Sequence, residues 1–222
     1  RIFLSFILCL CLVACIPQQA MAQKQSRMEK LLRYLNDNDA DKWQKNREKL
    51  DDETKAYYAE DLSLMDVLND LWNGQSEQAA TLYFGCYEKA AQNNFPSICE
   101  GEKIPLSQIR DKADQSIINL LEASKDKIPF SRALLDSIHA TEYPVDSAML
   151  QRLQNIREVA LLEGMLKAPT PIIYQTYVKE YPNGKFIAQV NASENVRLYQ
   201  LVKTTPTPAN FKAFFCLLYT SP

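Results

Sequence analysis

The sequence predicts an all-α protein made of stacked antiparallel helical hairpins, an α-solenoid, because one segment is written twice. Glu142-Tyr143-Pro144 returns 38 residues later as Glu180-Tyr181-Pro182, and Pro169-Thr170-Pro171 returns 37 residues later as Pro206-Thr207-Pro208. A period near 37 residues is typical of repeats built from two helices. Apolar residues also recur at helical spacing, and no segment alternates with period two for long enough to predict a strand.

The N-terminal segment predicts export. Residues 2–16 form an apolar run that is too short to cross a bilayer comfortably, and the small-residue pattern Ala20-x-Ala22 follows it. This arrangement predicts a helical secretory signal peptide over residues 1–22, with cleavage after Ala22.

A second interpretation of the N-terminal segment stays open. Leu12-Val13-Ala14-Cys15 resembles the lipobox of bacterial lipoproteins. The signal would then cover residues 1–14, and Cys15 would carry a lipid that anchors the protein to a membrane. Both interpretations predict an exported protein of a bacterium, in the periplasm or associated with the outer membrane.

Residues 23–100 predict N-terminal helical hairpins. The turn residues 36–39 separate the first helix from the second, because their side chains compete for backbone amides and cap new helices. Acidic residues 51–53 favour the start of a third helix, and Asn73-Gly74 predicts its end. The first three predicted helices cover residues 28–36, 40–50 and 51–72. A fourth begins after Ser76, which caps it, and carries on one side Ala79, Leu82, Tyr83, Cys86 and Ala90.

Residues 101–215 predict C-terminal helical repeats. A loop over residues 101–105 leads to a helix from Ser107, and a break at 125–129 leads to a helix over residues 130–141. In each repeat copy the Pro-Thr-Pro motif predicts a helix start, because threonine caps the first turn and proline fits its first position. Tyr-Pro predicts a helix end, since proline cannot donate inside a helix.

Apolar and aromatic positions predict how these repeat helices pack. The first long helix carries a stripe of apolar residues at helical spacing, and its copy carries a less regular stripe. Tyr174 corresponds to Phe211 and Tyr177 to Phe214, which predicts wedges between helices. The two stripes are Met149, Leu153, Ile156, Ala160 and Leu166, and Phe186, Val190, Leu198 and Leu201.

Two stretches carry a family resemblance. Residues 73–79, followed by Tyr83 and Cys86, resemble the turn and second helix of a tetratricopeptide repeat, and Phe95-Pro96 resembles its closing proline. Tyr174-x-x-Tyr177-x-x-x-Tyr181-Pro182 resembles a segment of exported helical-repeat proteins of the bacterial envelope, such as outer-membrane assembly lipoproteins. The resemblance implies a tetratricopeptide-like solenoid that works by protein contact.

Composition narrows the classes of partner. The formal net charge is −2, with 25 basic and 27 acidic residues. This near balance gives no reason to expect nucleic acid, and no basic helix points to an anionic membrane surface. We therefore expect a protein or peptide partner, and membrane contact only through a lipid on Cys15.

Cys86 and Cys99 are the cysteines outside the signal and the C-terminal tail. In an exported protein they could form a disulfide between the fourth helix and the following loop. Two separate thiols, with Cys86 as a small core residue, are the alternative. Spacing alone does not fix the geometry that a disulfide needs, so both stay open.

The sequence predicts no catalytic, cofactor or metal site. Lys42 stands where an EF-hand calcium loop requires glycine, although acidic residues occupy four of its ligand positions. His139 is the only histidine, and its acidic and serine neighbours lie within one helix rather than around a cleft. The acidic residues of the loop match are Asp37, Asp39, Asp41 and Glu48.

The end of the chain leaves the repeat pattern after Phe215. Residues 216–222 resemble a translated sequencing adapter, which predicts a non-native tail on a fragment of a longer protein. The sequence then predicts a non-catalytic interaction scaffold, with Trp43, Tyr57, Tyr58 and Trp72 as candidate contacts. The alternative is an accessory helical domain whose C-terminal catalytic or wall-binding domain is missing.

Overall fold

The structure is a computed structural model that describes residues 20–74 and 76–220, with side chains as far as residue 217. These residues form twelve helices and no strand. The predicted all-α class is therefore confirmed. The helices are α1 (20–36), α2 (Ala40–Glu48), α3 (Asp52–Tyr57), α4 (Ala59–Trp72), α5 (Glu77–Ala91), α6 (Phe95–Glu102), α7 (Leu106–Ala123), α8 (Lys127–His139), α9 (Ser147–Lys167), α10 (Pro171–Glu180), α11 (Ile187–Thr204) and α12 (Pro208–Thr220).

The chain divides into two compact units. Unit 1 comprises residues 1–120 and 136–144, and unit 2 comprises residues 121–135 and 145–222.

Unit 1 is organised around the hairpin of α4 and α5, against which α6 packs. Leu64 and Leu68 from α4 are fully buried, as are Tyr83 and Phe84 from α5. Burying side chains of this size contributes roughly 1.5–3 kcal/mol each. The apolar spacing in these helices therefore forms the core that it predicts.

Tyr143 of the first Tyr-Pro motif anchors this core. Its ring centroid lies 4.9 Å from that of Phe84 and 5.6 Å from that of Tyr83, both edge to face. Its hydroxyl donates to Asp114 Oδ1 over 2.5 Å. A buried carboxylate of this kind needs such a donor, because an unpaired polar group costs about 1–3 kcal/mol.

The turns of unit 1 follow the predicted chemistry. Asp39 and Ser76 accept hydrogen bonds from the backbone amides of Lys42 and Ala79, which caps α2 and α5. Asn38 adopts a left-handed φ of 56° ahead of α2, a conformation that asparagine tolerates. Gly74 is required by close approach, since a Cβ there would lie 2.9 Å from Asp70 O.

Unit 2 contains most of α8 and all of α9 to α12. Helix α11 packs against both α9 and α10, and α12 packs against α11. The buried core joins Leu161 and Met165 of α9 to Tyr177 of α10 and Val190 of α11. The predicted wedge at Tyr177 is therefore confirmed.

A buried arginine fastens three helices of unit 2. Arg157 of α9 is only 2% exposed, and it donates from Nε and Nη2 to the two carboxylate oxygens of Glu180, over 2.6 and 2.9 Å. Its Nη1 donates to Ile128 O and to Ser131 Oγ of α8. Every polar end of the guanidinium thus has a partner, which a buried charge requires.

The Pro-Thr-Pro starts are confirmed in both copies. Thr170 Oγ1 accepts from Ile173 N and Thr207 Oγ1 from Asn210 N, each over 3.2 Å. The Tyr-Pro copies differ. Tyr181 caps the C-terminus of α10, whereas α8 already ends at His139, before Tyr143 is reached.

Several predicted boundaries are wrong. The third predicted helix is two, α3 and α4, because Tyr58 leaves helical geometry at φ −106° and ψ 30° while its side chain is buried. Helix α6 was expected as loop, although Pro96 fits the first turn of a helix. Pro129 likewise lies in the first turn of α8 rather than in a break. Leu166 of the first predicted stripe is exposed, and so is Leu82, which the sequence places on the same side of the fourth helix as the buried Tyr83.

Candidate interaction surface

Large apolar side chains that remain exposed concentrate in unit 2. Monomeric soluble proteins rarely leave such side chains in contiguous groups, and a group of them marks a contact surface. In the described part of unit 2 the exposed set is Val159, Leu166, Ile172, Val196, Tyr199, Phe211 and Phe215.

Four aromatic rings of the α11–α12 hairpin form one connected group, which we call the aromatic ledge: Tyr199, Phe211, Phe214 and Phe215. Phe214 lies 6.1 Å from Tyr199 and 5.7 Å from Phe215 between ring centroids, and Phe215 stacks on Phe211 at 6.5 Å. Tyr199, Phe211 and Phe215 are 53%, 41% and 47% exposed. The ledge is therefore an apolar surface with three of its four rings open to solvent.

The Pro-Thr-Pro motif holds the ledge in place. Besides its cap on α12, the motif is tied by Asn210, whose side-chain amide donates to Thr205 O over 2.7 Å. Phe211 N donates to Thr207 O and continues the first turn. The direction in which α12 leaves the turn, and with it the position of Phe211 on the hairpin, is thus fixed locally.

The offset of 37 residues between the two sequence copies identifies the residues of α10 that correspond to the ledge residues of α12. Phe214 stands where Tyr177 stands on α10, and Phe211 stands where Tyr174 stands. Helix α11 covers both tyrosines: Tyr177 is fully buried beside Val190, and the Tyr174 hydroxyl donates to Asn191. On α12 the corresponding face is half-buried at Phe214 and exposed at Phe211.

The charges around the ledge are basic. Residues 195–215 contain Arg197, Lys203 and Lys212 and no aspartate or glutamate. Arg197 pairs with Glu194 over 2.6 Å. Both lysines are exposed, and neither makes an ion pair with any residue that the structure describes. The ledge therefore presents an apolar surface with a cationic border.

Unit 1 holds a second feature of chemical interest, the buried carboxyl group of Asp61. Its Oδ2 accepts from Asn93 Nδ2 over 3.2 Å, while its buried Oδ1 has no hydrogen-bond partner. Burial raises the pKa of Asp61 to about 7, against weaker opposing hydrogen bonds at the N-terminus of α6. The nearby Cys99 thiol has its pKa raised to about 12 by burial and by Asp61, so it carries little reactive thiolate at neutral pH.

The predicted contact residues divide between core and surface. Tyr57 is exposed, whereas Trp43 and Tyr58 are buried in unit 1. Lys112 Nζ lies 3.9 Å from the Trp72 ring centroid, so that ring is partly covered. An open groove of about 450 Å³ lies beside both tyrosines, lined by Met21, Ala22, Gln25, Tyr57, Tyr58, Asn94, Ser97 and Ile98.

The remaining predicted positions are placed as follows. Cys86 and Cys99 are separate free thiols in the structure, the first half-buried with its Sγ 3.5 Å from Ser63 Oγ, the second buried. Ala22 lies exposed in α1, and Cys15 lies outside the described residues. His139 is the exposed last residue of α8.

The residues that the structure describes contain no group of three or more histidine, cysteine, aspartate or glutamate side chains placed to hold a metal ion. Across the described ranges, the helices also lack the length and apolar character that a bilayer crossing needs.

Sequence reasoning missed the two most strongly buried charge sites, Arg157 and Asp61. Both residues lie in helices, where a charged residue usually faces solvent. The spacing of apolar residues therefore does not predict that either of them is buried. The ledge was signalled more clearly, because the sequence predicts Phe211 and Phe214 as wedges between helices. In the structure Phe214 is half-buried and lies 6.1 Å from Tyr199 of α11, whereas Phe211 is exposed.

Comparison of the chain with models of protein families, with curated proteins and with solved structures found no significant match.

Proposed function

We propose that this protein is an exported, non-catalytic scaffold of the bacterial envelope, a tetratricopeptide-like stack of helical hairpins that binds a partner protein through unit 2. The aromatic ledge is the observation that carries the proposal. Three exposed aromatic rings and one half-buried ring lie together on two consecutive helices of the repeat region.

Aromatic side chains at such a surface favour protein contact for a physical reason. Phenylalanine and tyrosine bring a large contact area with few rotatable bonds, so they lose little conformational entropy on binding. They are also over-represented among the residues that dominate binding energy in protein interfaces. Leaving them in water without a partner carries an aggregation liability, which a function in binding accounts for.

The order of helices in unit 2 supports the repeat part of the proposal. Helix α11 packs on both helices of the preceding hairpin, and α12 packs back on α11. Each hairpin of such a stack packs only against its neighbours, so the stack needs no closed core. Export is supported by the signal-like residues 1–22 of the sequence alone.

The test compares partners captured by three versions of the full chain in a bacterial envelope. The ledge variant Phe211→Ser/Phe215→Ser removes two exposed rings, and the control Leu166→Ser/Ile172→Ser removes two exposed apolar side chains elsewhere in unit 2. After crosslinking and affinity purification, we expect a protein that is captured by the wild type and the control and lost at least tenfold from the ledge variant.

Circular dichroism and the melting temperature must match among the three proteins, because a partner lost through unfolding carries no information. Identical capture by the wild type and a folded ledge variant would contradict binding through the ledge. An enzymatic turnover measured for the purified chain would contradict the non-catalytic part of the proposal.

A further inference from the structure

We propose that a cleft in unit 2, between the start of α8 and the C-terminal half of α9, binds the phosphate ester of a small polyol through Lys125, Lys127 and Lys167. The cleft lies on helices other than those of the aromatic ledge, so this inference is independent of partner binding through the ledge.

The near-neutral charge of the whole chain includes an excess of cations in unit 2, which contains eleven basic and seven acidic residues. Its four arginines all form ion pairs, with Glu122, Glu180 or Glu194. Its seven lysines, at positions 125, 127, 167, 179, 185, 203 and 212, form no ion pair with any residue that the structure describes. The uncompensated positive charge of unit 2 is therefore carried by lysine.

Three of these lysines line one cleft of about 280 Å³. Lys125 comes from the turn before α8, Lys127 is the first residue of α8, and Lys167 is the last residue of α9. Asp126 and Glu163 also line the cleft, and neither forms an ion pair within the described part of the chain. The cleft thus holds three cationic side chains against two anionic ones, and none of the five is neutralised by a partner at ion-pair distance.

Small and apolar residues form most of the remaining lining. Ala160 and Gly164 contribute from α9, and Ile128 and Pro129 from α8. A Cβ at Gly164 would lie 3.0 Å from Ile128 Cδ1, so glycine lets the start of α8 approach α9 closely. The charged side chains are therefore carried by two closely packed helices.

Hydrogen bonds fix the α8 side of the cleft. Ile128 O accepts from Arg157 Nη1 over 2.8 Å and from Ser131 Oγ over 3.1 Å, and Arg157 is almost fully buried. In the turn before α8, Asp126 N donates to Ser124 Oγ over 3.1 Å. A backbone that is already fixed in this way loses little conformational entropy when a ligand binds.

The type of cation identifies phosphate as the anion. A lysine ammonium is a compact point charge that suits phosphate oxygens, whereas the planar guanidinium of arginine matches a carboxylate through two parallel hydrogen bonds. Unit 2 follows this division, because its arginines pair with carboxylates and its cleft contains lysines. A phosphate group offers several acceptor oxygens, which three separate donors can share.

The size and the two carboxylates of the cleft identify the group that carries the phosphate. Pockets for small organic ligands begin at about 300 Å³, so a cleft of about 280 Å³ accepts a small ester rather than a large cofactor. Asp126 and Glu163 would repel a bare phosphate ion, but they can accept strong hydrogen bonds from hydroxyl groups. A polyol phosphate satisfies both sets of side chains.

The experiment measures binding of three probes to the full chain by isothermal titration calorimetry at neutral pH. The probes are glycerol phosphate, inorganic phosphate and glycerol. We expect glycerol phosphate to bind at least about threefold more tightly than inorganic phosphate, because its hydroxyl groups add hydrogen bonds. Glycerol alone should show no binding.

Two triple variants with the same loss of charge test the lysines. The cleft variant should bind glycerol phosphate at least about tenfold more weakly, whereas the control, which changes three exposed lysines elsewhere in unit 2, should bind it within about twofold of the wild type. Circular dichroism and the melting temperature must match the wild type. If the cleft variant does not fold, the exposed Lys167→Gln alone should weaken binding at least about threefold. The two variants are Lys125→Gln/Lys127→Gln/Lys167→Gln and Lys179→Gln/Lys185→Gln/Lys203→Gln.

A third variant, Asp126→Asn/Glu163→Gln, tests the carboxylates. Inorganic phosphate should bind it at least about threefold more tightly than it binds the wild type, because two repelling charges are removed. The preference for glycerol phosphate over inorganic phosphate should shrink at the same time. Weaker binding of inorganic phosphate to this variant would contradict the assigned roles of both carboxylates.

Vesicles distinguish a lipid headgroup from a soluble ester. Cosedimentation with vesicles that contain phosphatidylglycerol, absent with phosphatidylcholine alone and competed by glycerol phosphate, would assign the cleft to a headgroup. Binding of glycerol phosphate without cosedimentation would assign it to a soluble ester. Both results support the inference.

Other results overturn the inference. No binding of glycerol phosphate, or equal loss of binding in the cleft and control variants, would exclude a phosphate-ester site in this cleft. Capture of a partner through the ledge uses different variants, so either proposal can fail while the other stands.

Discussion

Asp61 is a carboxyl group buried in unit 1 without a full set of hydrogen bonds, so its ionisation opposes folding. Its pKa is about 7 in the folded protein against an ordinary value of 3.8. The folded state therefore keeps a proton that the unfolded chain has already released. The contribution of Asp61 to the free energy of unfolding is therefore most favourable below about pH 4 and is lost as the pH rises through about 7.

We predict that Asp61→Asn stabilises the protein at pH 8 by on the order of 3 kcal/mol, and by almost nothing at pH 4. The amide removes the buried charge while keeping the side-chain shape. Urea unfolding at both pH values measures the difference. Asp70→Asn, an exposed residue of the same helix, is the control and should change stability by less than about 0.5 kcal/mol. An equal gain at both pH values would show that the charge is not the cause.

The two cysteines of unit 1 should differ in reactivity. Cys99 is buried and its pKa is raised to about 12, whereas Cys86 is only half-buried. We predict that a thiol reagent labels Cys86 in the native protein at pH 8 at least tenfold faster than Cys99, and labels both in denaturant. Peptide mass spectrometry reads each site separately. If neither is labelled in denaturant until a reductant is added, the two form the disulfide that the sequence leaves open.

Replacing glycine by alanine should have opposite effects at Gly184, which lies between α10 and α11, and at Gly85, which lies within α5. A Cβ at Gly184 would stand 2.5 Å from the Tyr177 hydroxyl and 2.8 Å from Tyr181 Cβ, whereas one at Gly85 meets nothing nearer than Thr141 Cγ2 at 4.0 Å. We predict that Gly184→Ala destabilises by roughly 1–3 kcal/mol through overpacking. Gly85→Ala, in the interior of α5, should stabilise by roughly 0.5–1 kcal/mol, since alanine favours helix. Chemical unfolding measures both, and a stabilised Gly184→Ala would contradict the close packing of that turn.

Caps and periodicity were predictable element by element because they depend on neighbours in sequence. As predicted, the side-chain oxygens of Ser76, Thr170 and Thr207 accept hydrogen bonds from backbone amides in the first turns of α5, α10 and α12. The divisions between elements were less predictable. The break at Tyr58 follows from the burial of its side chain in the folded unit, and such packing leaves no local signal in the sequence.

The same distinction holds for the candidate surface. Repeat register located Phe211 and Phe214 at helix-facing positions from the sequence alone. Whether a face is covered depends on what packs on it in three dimensions, and here Tyr177 is covered by α11 while Phe211 is open. Arg157 shows the converse, a charged residue that only the arrangement of α8, α9 and α10 buries.

At the scale of the whole molecule, the two Tyr-Pro copies have separate roles. Tyr143 lies in unit 1 and Tyr181 in unit 2, so the duplicated motif serves two cores. Tyr143 donates to a buried carboxylate, while Tyr181 donates to the Gln154 carbonyl in a more open setting. The two copies of the repeat therefore keep the same role at the Pro-Thr-Pro motif, which begins a helix in each copy. They differ at the Tyr-Pro motif, where the two tyrosines donate to different kinds of acceptor.

Processing of the N-terminus affects the whole molecule, because it determines where the protein is located in the cell and which residues line the groove of unit 1. Cleavage after Ala22 would remove Met21 and Ala22, two of the residues that line the groove beside Tyr57 and Tyr58. We predict that the protein made in a bacterium has the mass of a chain that begins at Gln23, since the small residues at 20 and 22 fit signal peptidase.

Intact-mass spectrometry of the protein from the periplasmic and membrane fractions measures this directly. Ala22→Leu should block the cut and retain the longer chain in the membrane fraction, whereas Cys15→Ser should change nothing. A mature protein that begins at a lipid-modified Cys15 and loses its membrane association in Cys15→Ser would overturn cleavage at Ala22. In that case Met21 and Ala22 would stay in the mature protein, and the groove would keep its full lining.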